Sequence, residues 1–209
     1  CRLQFGKSLT RSPIHHDRYA DVIIVPMPDG KSEYRFLGLY TSRVNQHDPM
    51  TIPVVGHKIT TVYIYSGLRK ISHDVRNFDR MLRTHPRDEL LLATDQDLLS
   101  AFLPMVKQKY GNELRFVWRV DPWQRFVSVF IYMPKPLYNE TFVSRTGEFL
   151  QARFNASDVV MTAFVSEHRW IRLHGLLVFE EKNPPRINID ETESVLKRLA
   201  RTWEDELLA

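Results

Sequence analysis

Apolar and polar positions along the chain keep two rhythms. Residues 19–26 read as a strand through Val22, Ile23, Ile24 and Val25. Residues 27–31 (Met-Pro-Asp-Gly-Lys) carry turn chemistry, and residues 32–41 give a second strand with Phe36, Leu37, Leu39 and Tyr40. Two strands cannot bury a core, so this hairpin must lean on a neighbour. Residues 1–18 are basic and show no rhythm, and residues 45–52 read as a linker. Around Pro53 the spacing changes. Ile52, Val55, Ile59 and Val62 recur every three or four positions, which predicts a helix although the run from Ile59 is β-branched. Ser72 and Asp74 are cap candidates for a further helix bearing Val75, Phe78, Met81 and Leu82, ended by Pro86.

From residue 88 a regular alternation is expected. Residues 89–93 form a short apolar run read as a strand, and Thr94-Asp-Gln-Asp97 has the form of a capping box. The helix it opens carries Leu98, Leu99, Phe102, Leu103 and Val106, with Pro104 expected to kink or weaken it and Gly111-Asn112 expected to close it. Strands follow over residues 114–120 and 125–133, joined by a turn at Asp121-Pro-Trp-Gln124. Asn139 caps a helix with Phe142, Phe149, Leu150 and Phe154. Residues 159–165 form another strand. Glu167-His-Arg169 turns into a last strand over residues 170–179. After Pro184-Pro185, residues 190–208 give an amphipathic helix with Val195, Leu196, Leu199, Trp203 and Leu207 on one face. Residues 88–165 thus read β-α-β-β-α-β, a ferredoxin-like unit of the α+β class with an extra edge strand and a C-terminal helix. Phe116, Trp118, Phe126, Phe130 and Tyr132 are expected to give its sheet an exposed apolar face fit for docking.

Composition narrows the chemistry. The 209 residues are 43% hydrophobic and 26% charged, the balance of a globular protein, and no apolar run reaches the roughly 18 residues that suggest a membrane helix. The pI is near 9.2. However, residues 1–45 hold 7 basic and 4 acidic residues, whereas the remaining 164 hold 22 and 21. The main body therefore lacks the surplus that phosphate neutralisation needs. The lone cysteine, Cys1, supports neither a disulfide framework nor a thiolate cluster. A start at Cys1 without a leader gives the expectation of a piece of a larger cytoplasmic protein. The nearest two of the eight glycines, Gly30 and Gly38, lie eight residues apart, so no dinucleotide or P-loop glycine cluster can be drawn.

Candidate chemistry is sparse. His15, His16, His47, His57, His73, His85, His168 and His174 form no H-E-x-x-H, and the adjacent His15 and His16 would point to opposite faces of a strand. Arg87, Asp88 and Glu89 read as a charged helix-to-strand junction with Arg87 paired locally. Arg119 and Arg125 flank a turn that Asp121 is expected to cap, with Trp123 over a sheet edge. No serine sits in a G-x-S-x-G elbow. No catalytic, cofactor-binding or metal-binding residue is nominated, and no effector-binding residue either. A ferredoxin-like nucleic-acid module and a small enzyme of another type are the competing readings. The first needs aromatic central strands, yet Leu90, Leu91 and Leu92 are aliphatic.

Several motifs occur in one order: Arg35-Phe-Leu-Gly-Leu-Tyr-Thr-Ser42, Ser72-His-Asp74, Pro86-Arg-Asp-Glu-Leu90, Arg119-Val-Asp-Pro-Trp-Gln-Arg-Phe-Val-Ser128, Tyr132-Met-Pro134, Tyr138-Asn139, Ser166-Glu167 and Trp203-Glu-Asp-Glu-Leu207. Together they resemble the amino-terminal, non-catalytic region of the large bacterial NAD-specific glutamate dehydrogenases, from about residue 19 to the end. The resemblance implies a parent enzyme that oxidises L-glutamate to 2-oxoglutarate and ammonium with NAD as cofactor, its chemistry lying elsewhere in the polypeptide. It implies regulatory or assembly work here, with other domains of the same chain and a homo-oligomer as partners, and neither nucleic acid nor membrane. It divides the chain into the tail of a PAS-like unit (residues 1–45), a helical connector (residues 46–85) and an ACT-like domain (residues 86–209). Two departures stand out. The family turn reads Asp-Pro-Phe-Gly-Arg-Phe, whereas Gln124 replaces that glycine here, which argues against a tight positive-φ turn. ACT modules that bind amino acids often carry a glycine between first strand and first helix, where this chain has Ala93-Thr-Asp-Gln96.

Overall fold

The computed structural model of the chain describes residues 3–15, 18–69, 72–107, 113–165, 170–181 and 184–200. It divides into two compact units, Cys1–Tyr110 and Gly111–Ala209.

The first unit opens with a three-stranded antiparallel sheet in the order β1-β2-β3, formed by β1 (Gln4–Arg11), β2 (Tyr19–Pro26) and β3 (Glu33–Gly38). The β2–β3 hairpin is the expected one. Its turn is organised by Asp29, whose carboxylate accepts from the Lys31 and Ser32 backbone N–H groups and the Ser32 hydroxyl, while Gly30 takes φ 66°. These bonds hold the Asp29 carboxyl below its ordinary range, the Ser32 hydroxyl most of all. The strand β1 falls where irregular chain was expected. Its inward position is Lys7, a buried cation, so the two-residue hydrophobic rhythm is interrupted at the residue that should have declared it.

Helices complete the unit: α1 (Ser42–Gln46), α2 (Pro53–Ser66), α3 (His73–Thr84), α4 (Arg87–Leu92) and α5 (Asp95–Lys107). The β-branched α2 is helical because Val55, Ile59 and Val62 lie on one buried stripe. It ends at Gly67, with φ 64°. Ser72 caps α3 by accepting from Val75 N–H at 3.2 Å. At α5, Thr94 Oγ1 accepts from Asp97 N–H at 3.1 Å while Asp97 accepts from Thr94 N–H at 2.8 Å, a closed capping box. The helix runs through Pro104 and buries Leu98, Phe102 and Val106.

Residues 89–93 are the main correction. They belong to the helix α4 and the turn after it, not to a strand. A three-leucine run is equally compatible with a short strand and a fully buried helical turn. Here Glu89, Leu90, Leu91 and Leu92 are all buried, and α4 and α5 pack within the helical unit. The two compact units meet between Tyr110 and Gly111 in the sequence.

The second unit is a four-stranded antiparallel sheet in the order β4-β5-β7-β6. Its strands are β4 (Arg115–Val120), β5 (Phe126–Pro134), β6 (Asp158–Phe164) and β7 (Trp170–Val178), with helices α6 (Glu140–Phe154) and α7 (Ile189–Leu199). In a β-α-β-β-α-β fold the first and third strands are central, flanked by the fourth and second. That same layout arises here when β7 takes the first strand's place, α7 the first helix's, and β4, β5 and β6 follow. The unit is therefore a circularly permuted ferredoxin-like fold: what was read as an extra edge strand is a central one, and the terminal helix is one of the two layer helices.

The core lies between sheet and helices. Val127, Val129, Ile131 and Met133 of β5 and Ile171, Leu173 and Leu177 of β7 face Phe142, Leu150 and Phe154 of α6 and Leu196 of α7. Phe116 and Trp118 also lie on this side, with Trp118 5.1 Å from the Phe154 ring, rather than on the opposite face where they were expected. Asn139 caps α6 by accepting from Phe142 N–H at 2.7 Å. Gly175 lets β7 approach its neighbours: a Cβ there would lie 2.6 Å from Val129 Cγ2 and 2.8 Å from Met161 Sδ.

Candidate functional site

The turn between β4 and β5 is the most elaborate polar structure of the second unit. Asp121 is 4% exposed. Its Oδ1 accepts from Arg125 N–H and Phe126 N–H, each at 2.7 Å, and its Oδ2 accepts from Trp123 N–H at 2.9 Å. One carboxylate thus ties three backbone donors of the turn, as its expected capping role requires. Gln124 adopts φ 58°, so the left-handed turn survives without the glycine.

The sheet face away from the helices carries Arg119, Phe126, Ser128, Phe130, Tyr132, Arg172 and His174, as the cross-strand register dictates. The His174 ring stacks on Phe130 at 4.5 Å and its Nε2 is hydrogen-bonded to Ser128 Oγ at 2.9 Å. Arg172 lies over the Phe164 ring at 4.7 Å. This face mixes aromatic and basic groups. Phe126, Phe130 and Tyr132 are buried, which departs from the expected exposed apolar surface and from the exposed stacking platform an RNA-binding sheet presents.

In the first unit the charged junction at residues 87–89 joins two helices. Arg87 Nη1 donates to the carbonyls of Arg83 at 2.7 Å and His85 at 2.8 Å, closing the end of α3. Lys58 Nζ reaches from α2 to the carbonyls of Leu90, Leu91 and Ala93 at 2.7, 3.0 and 2.6 Å, placing a cation on the negative end of α4. Lys7 Nζ of β1 pairs with Asp21 Oδ1 of β2 at 2.8 Å and Asp88 Oδ2 of α4 at 3.4 Å, joining the sheet to the helices. Burial works against the Lys7 charge, but Asp88, Asp21 and Glu89 together outweigh it and hold the lysine above its ordinary value. Burial likewise pushes the Asp21 carboxyl up, only partly offset by Lys7.

These charged groups serve the backbone or one another. Among the described residues, no three His, Cys, Asp or Glu side chains are placed to hold a metal ion. No helix there is long and apolar enough to cross a membrane. The loop Ala93-Thr-Asp-Gln96 joins α4 to α5 and is not a strand-to-helix loop. In the permuted fold that position is taken by residues 179–188, which contain Glu180, Glu181, Pro184 and Pro185 and no glycine. Periodicity alone gave no sign of the permutation, because it does not report strand order. His16, His168, the Gly111-Asn112 stop, the Ser166–Arg169 stretch and the Trp203 motif lie outside the described residues.

Two family models match within the chain: residues 52–109, in the first unit, match glutamate dehydrogenase, helical motif 1, and residues 115–204, in the second, match glutamate dehydrogenase, ACT2 domain. The chain belongs to the glutamate dehydrogenase family. Relatives of this glutamate dehydrogenase segment include the NAD-specific glutamate dehydrogenase of Pseudomonas aeruginosa, 30% identical over 210 residues, covering 98% of this chain and 13% of the relative. That of Halomonas elongata is 26% identical over 210 residues, covering 99% and 13%. That of Mycobacterium tuberculosis is 26% identical over 188 residues, covering 84% and 12%. The segment therefore spans only 12–13% of the length of these relatives.

Proposed function

We propose that the chain is a non-catalytic regulatory and assembly segment of an NAD-dependent glutamate dehydrogenase. The parent polypeptide converts L-glutamate, NAD and water to 2-oxoglutarate, ammonium and NADH with residues outside this segment. The partners of the segment are other domains of the same polypeptide and, through them, further copies of the enzyme, in the cytoplasm. The three-stranded sheet of residues 4–38 is the trailing part of a separate module.

The observation that carries this reading is the succession of helical motif 1 and ACT2 matches over the helical part of the first unit and the sheet of the second. The polar groups inside those units support it. Asp121, Lys58, Arg87 and Lys7 are committed to turn, helix-end and ion-pair contacts that hold elements together. The test uses the full-length enzyme carrying Asp121→Ala, which loosens the ACT2 unit. Its sedimentation coefficient changes while KM for glutamate and NAD stays at the wild-type value in the assembled fraction. Lost turnover in an enzyme that sediments normally overturns the proposal.

A further inference from the structure

One lysine is shared by two carboxylates where the three-stranded sheet touches α4. The register places Lys7 of β1 opposite Asp21 of β2, with Nζ 2.8 Å from Asp21 Oδ1. From α4, Asp88 Oδ2 comes within 3.4 Å of the same Nζ. The next residue of α4, Glu89, is fully buried, and its negative charge acts on both Lys7 and Asp21. Tyr40, two residues after β3, lies half-buried near Asp21 and Asp88. Burial first, and then those two charges, raise its hydroxyl above the ordinary phenol value and keep it neutral. The β3 residue opposite Asp21 is Gly38, which brings no charge. The nearby cations of the helices face backbone: Arg87 Nη1 donates to the carbonyls of Arg83 and His85, and Lys58 Nζ to those of Leu90, Leu91 and Ala93.

With Asp21 and Asp88 both ionised, a single ammonium faces two carboxylates in a setting that water scarcely reaches. A buried charge without full compensation is costly, and the junction lowers that cost by binding a proton. We propose that the junction is a proton-operated latch between the three-stranded sheet and α4: closing it lodges a proton on Asp21, and a rise in pH loosens it. Asp21 takes the proton rather than Asp88 because its side chain is 10% exposed against 31%, so it has less water to support a charge. Once protonated, Asp21 still accepts from Lys7 through its carbonyl oxygen, and Lys7 balances Asp88 one to one.

The electrostatics of Asp21 agree with this geometry. Burial pushes its carboxyl above the ordinary 3.8, the Lys7 charge and hydrogen bond offset this only in part, and the Asp88 and Glu89 charges push it up again. The open junction returns Asp21 to water and to its ordinary value. Between that value and the raised one, the closed state holds more protons, so its advantage falls as pH rises. The fall stops once Asp21 is ionised in both states. A single proton changes the opening constant by at most about tenfold per pH unit. Lys7 titrates above 10.5, outside this window. The latch lies wholly within the first unit and goes beyond the assembly reading.

The experiment follows amide hydrogen exchange by mass spectrometry in the full-length enzyme from about pH 4 to about pH 8, each rate divided by the intrinsic rate at that pH. Peptides covering β1 and α4 report the junction, and a peptide covering β5 gives the background. Protection of β1 and α4 is expected to fall several-fold over the acid part of the range and then level off, while β5 does not follow. Asp21→Asn carries a group of the same shape that never ionises, and it holds protection at the acid level throughout. Asp88→Asn leaves Lys7 to Asp21 alone and moves the fall to lower pH. A flat wild-type profile, an equal fall in β5, or a wild-type fall that persists in Asp21→Asn each overturn the proposal. Where Asp21→Asn does not fold, the wild-type profile and the Asp88→Asn shift decide, and an unshifted Asp88→Asn profile overturns it as well.

Discussion

Replacing Asp121 by alanine removes the acceptor of three backbone donors at once. Each bond to the carboxylate is charge-assisted and spans 2.7 to 2.9 Å. The Phe126 residue is buried, so its N–H cannot turn to water, whereas Trp123 and Arg125 lie nearer the surface. One donor left dry costs about 1–3 kcal/mol, and two rehydrated ones lose about 0.5–1.5 kcal/mol each. The sum is a loss of about 2–6 kcal/mol from the second unit. Asp121→Asn keeps an oxygen toward Arg125 and Phe126 but turns an NH2 toward Trp123 N–H, so it loses about half as much. The assay is urea unfolding followed by tryptophan fluorescence. Trp118, Trp123, Trp170 and Trp203 all lie beyond residue 110, so the signal reports the second unit alone. With a slope of about 2 kcal/mol per molar urea, the midpoint falls by roughly 1–3 M for Asp121→Ala. A fall below about 0.5 M refutes the view that this carboxylate holds the turn.

Further outcomes follow from the same contacts. Gln124→Gly relieves a left-handed backbone that disfavours side chains and raises the stability of the second unit by about 0.5–1 kcal/mol, read as an upward midpoint shift in the same assay. Gly56→Ala places a Cβ 2.5 Å from the Met50 carbonyl oxygen and costs about 1–3 kcal/mol, measured by far-ultraviolet circular dichroism. Lys7 sits above its ordinary value, so its contribution is complete below pH 10.5 and is lost as pH rises through the raised value. Removing it in Lys7→Met leaves Asp21, already raised by burial, without its cation. The variant is then most stable where that carboxyl is protonated and weakens as pH rises through its folded value, so the gap from wild type widens from acid to neutral pH. A constant gap in urea midpoints across that window contradicts the buried pairing.

The readable parts of the fold were those where one residue type has one physical use. Ser72, Asn139 and the Thr94–Asp97 box announce helix starts because their side chains bond backbone donors nearby. Asp121 announced a turn for the same reason. The misreadings came from residues with two uses. Leu90-Leu91-Leu92 suits a strand or a buried helical turn, and the choice was made by α2, which offers Lys58 to the end of α4. The strand β1 was hidden because its inward residue is the paired Lys7. Gln124 shows that a turn can keep its positive φ when the surrounding bonds to Asp121 outweigh the local strain. Strand order is a tertiary property, so the permutation that makes β7 central leaves no periodicity to read.

The most direct measurement is absorbance at the NADH band for the purified 209-residue chain mixed with L-glutamate and NAD, beside the full-length enzyme at equal molar concentration. The full-length enzyme is expected to produce NADH and the isolated chain none above buffer. Glutamate-dependent NADH formation that scales with the concentration of the isolated chain would contradict the assignment of this segment to assembly and regulation.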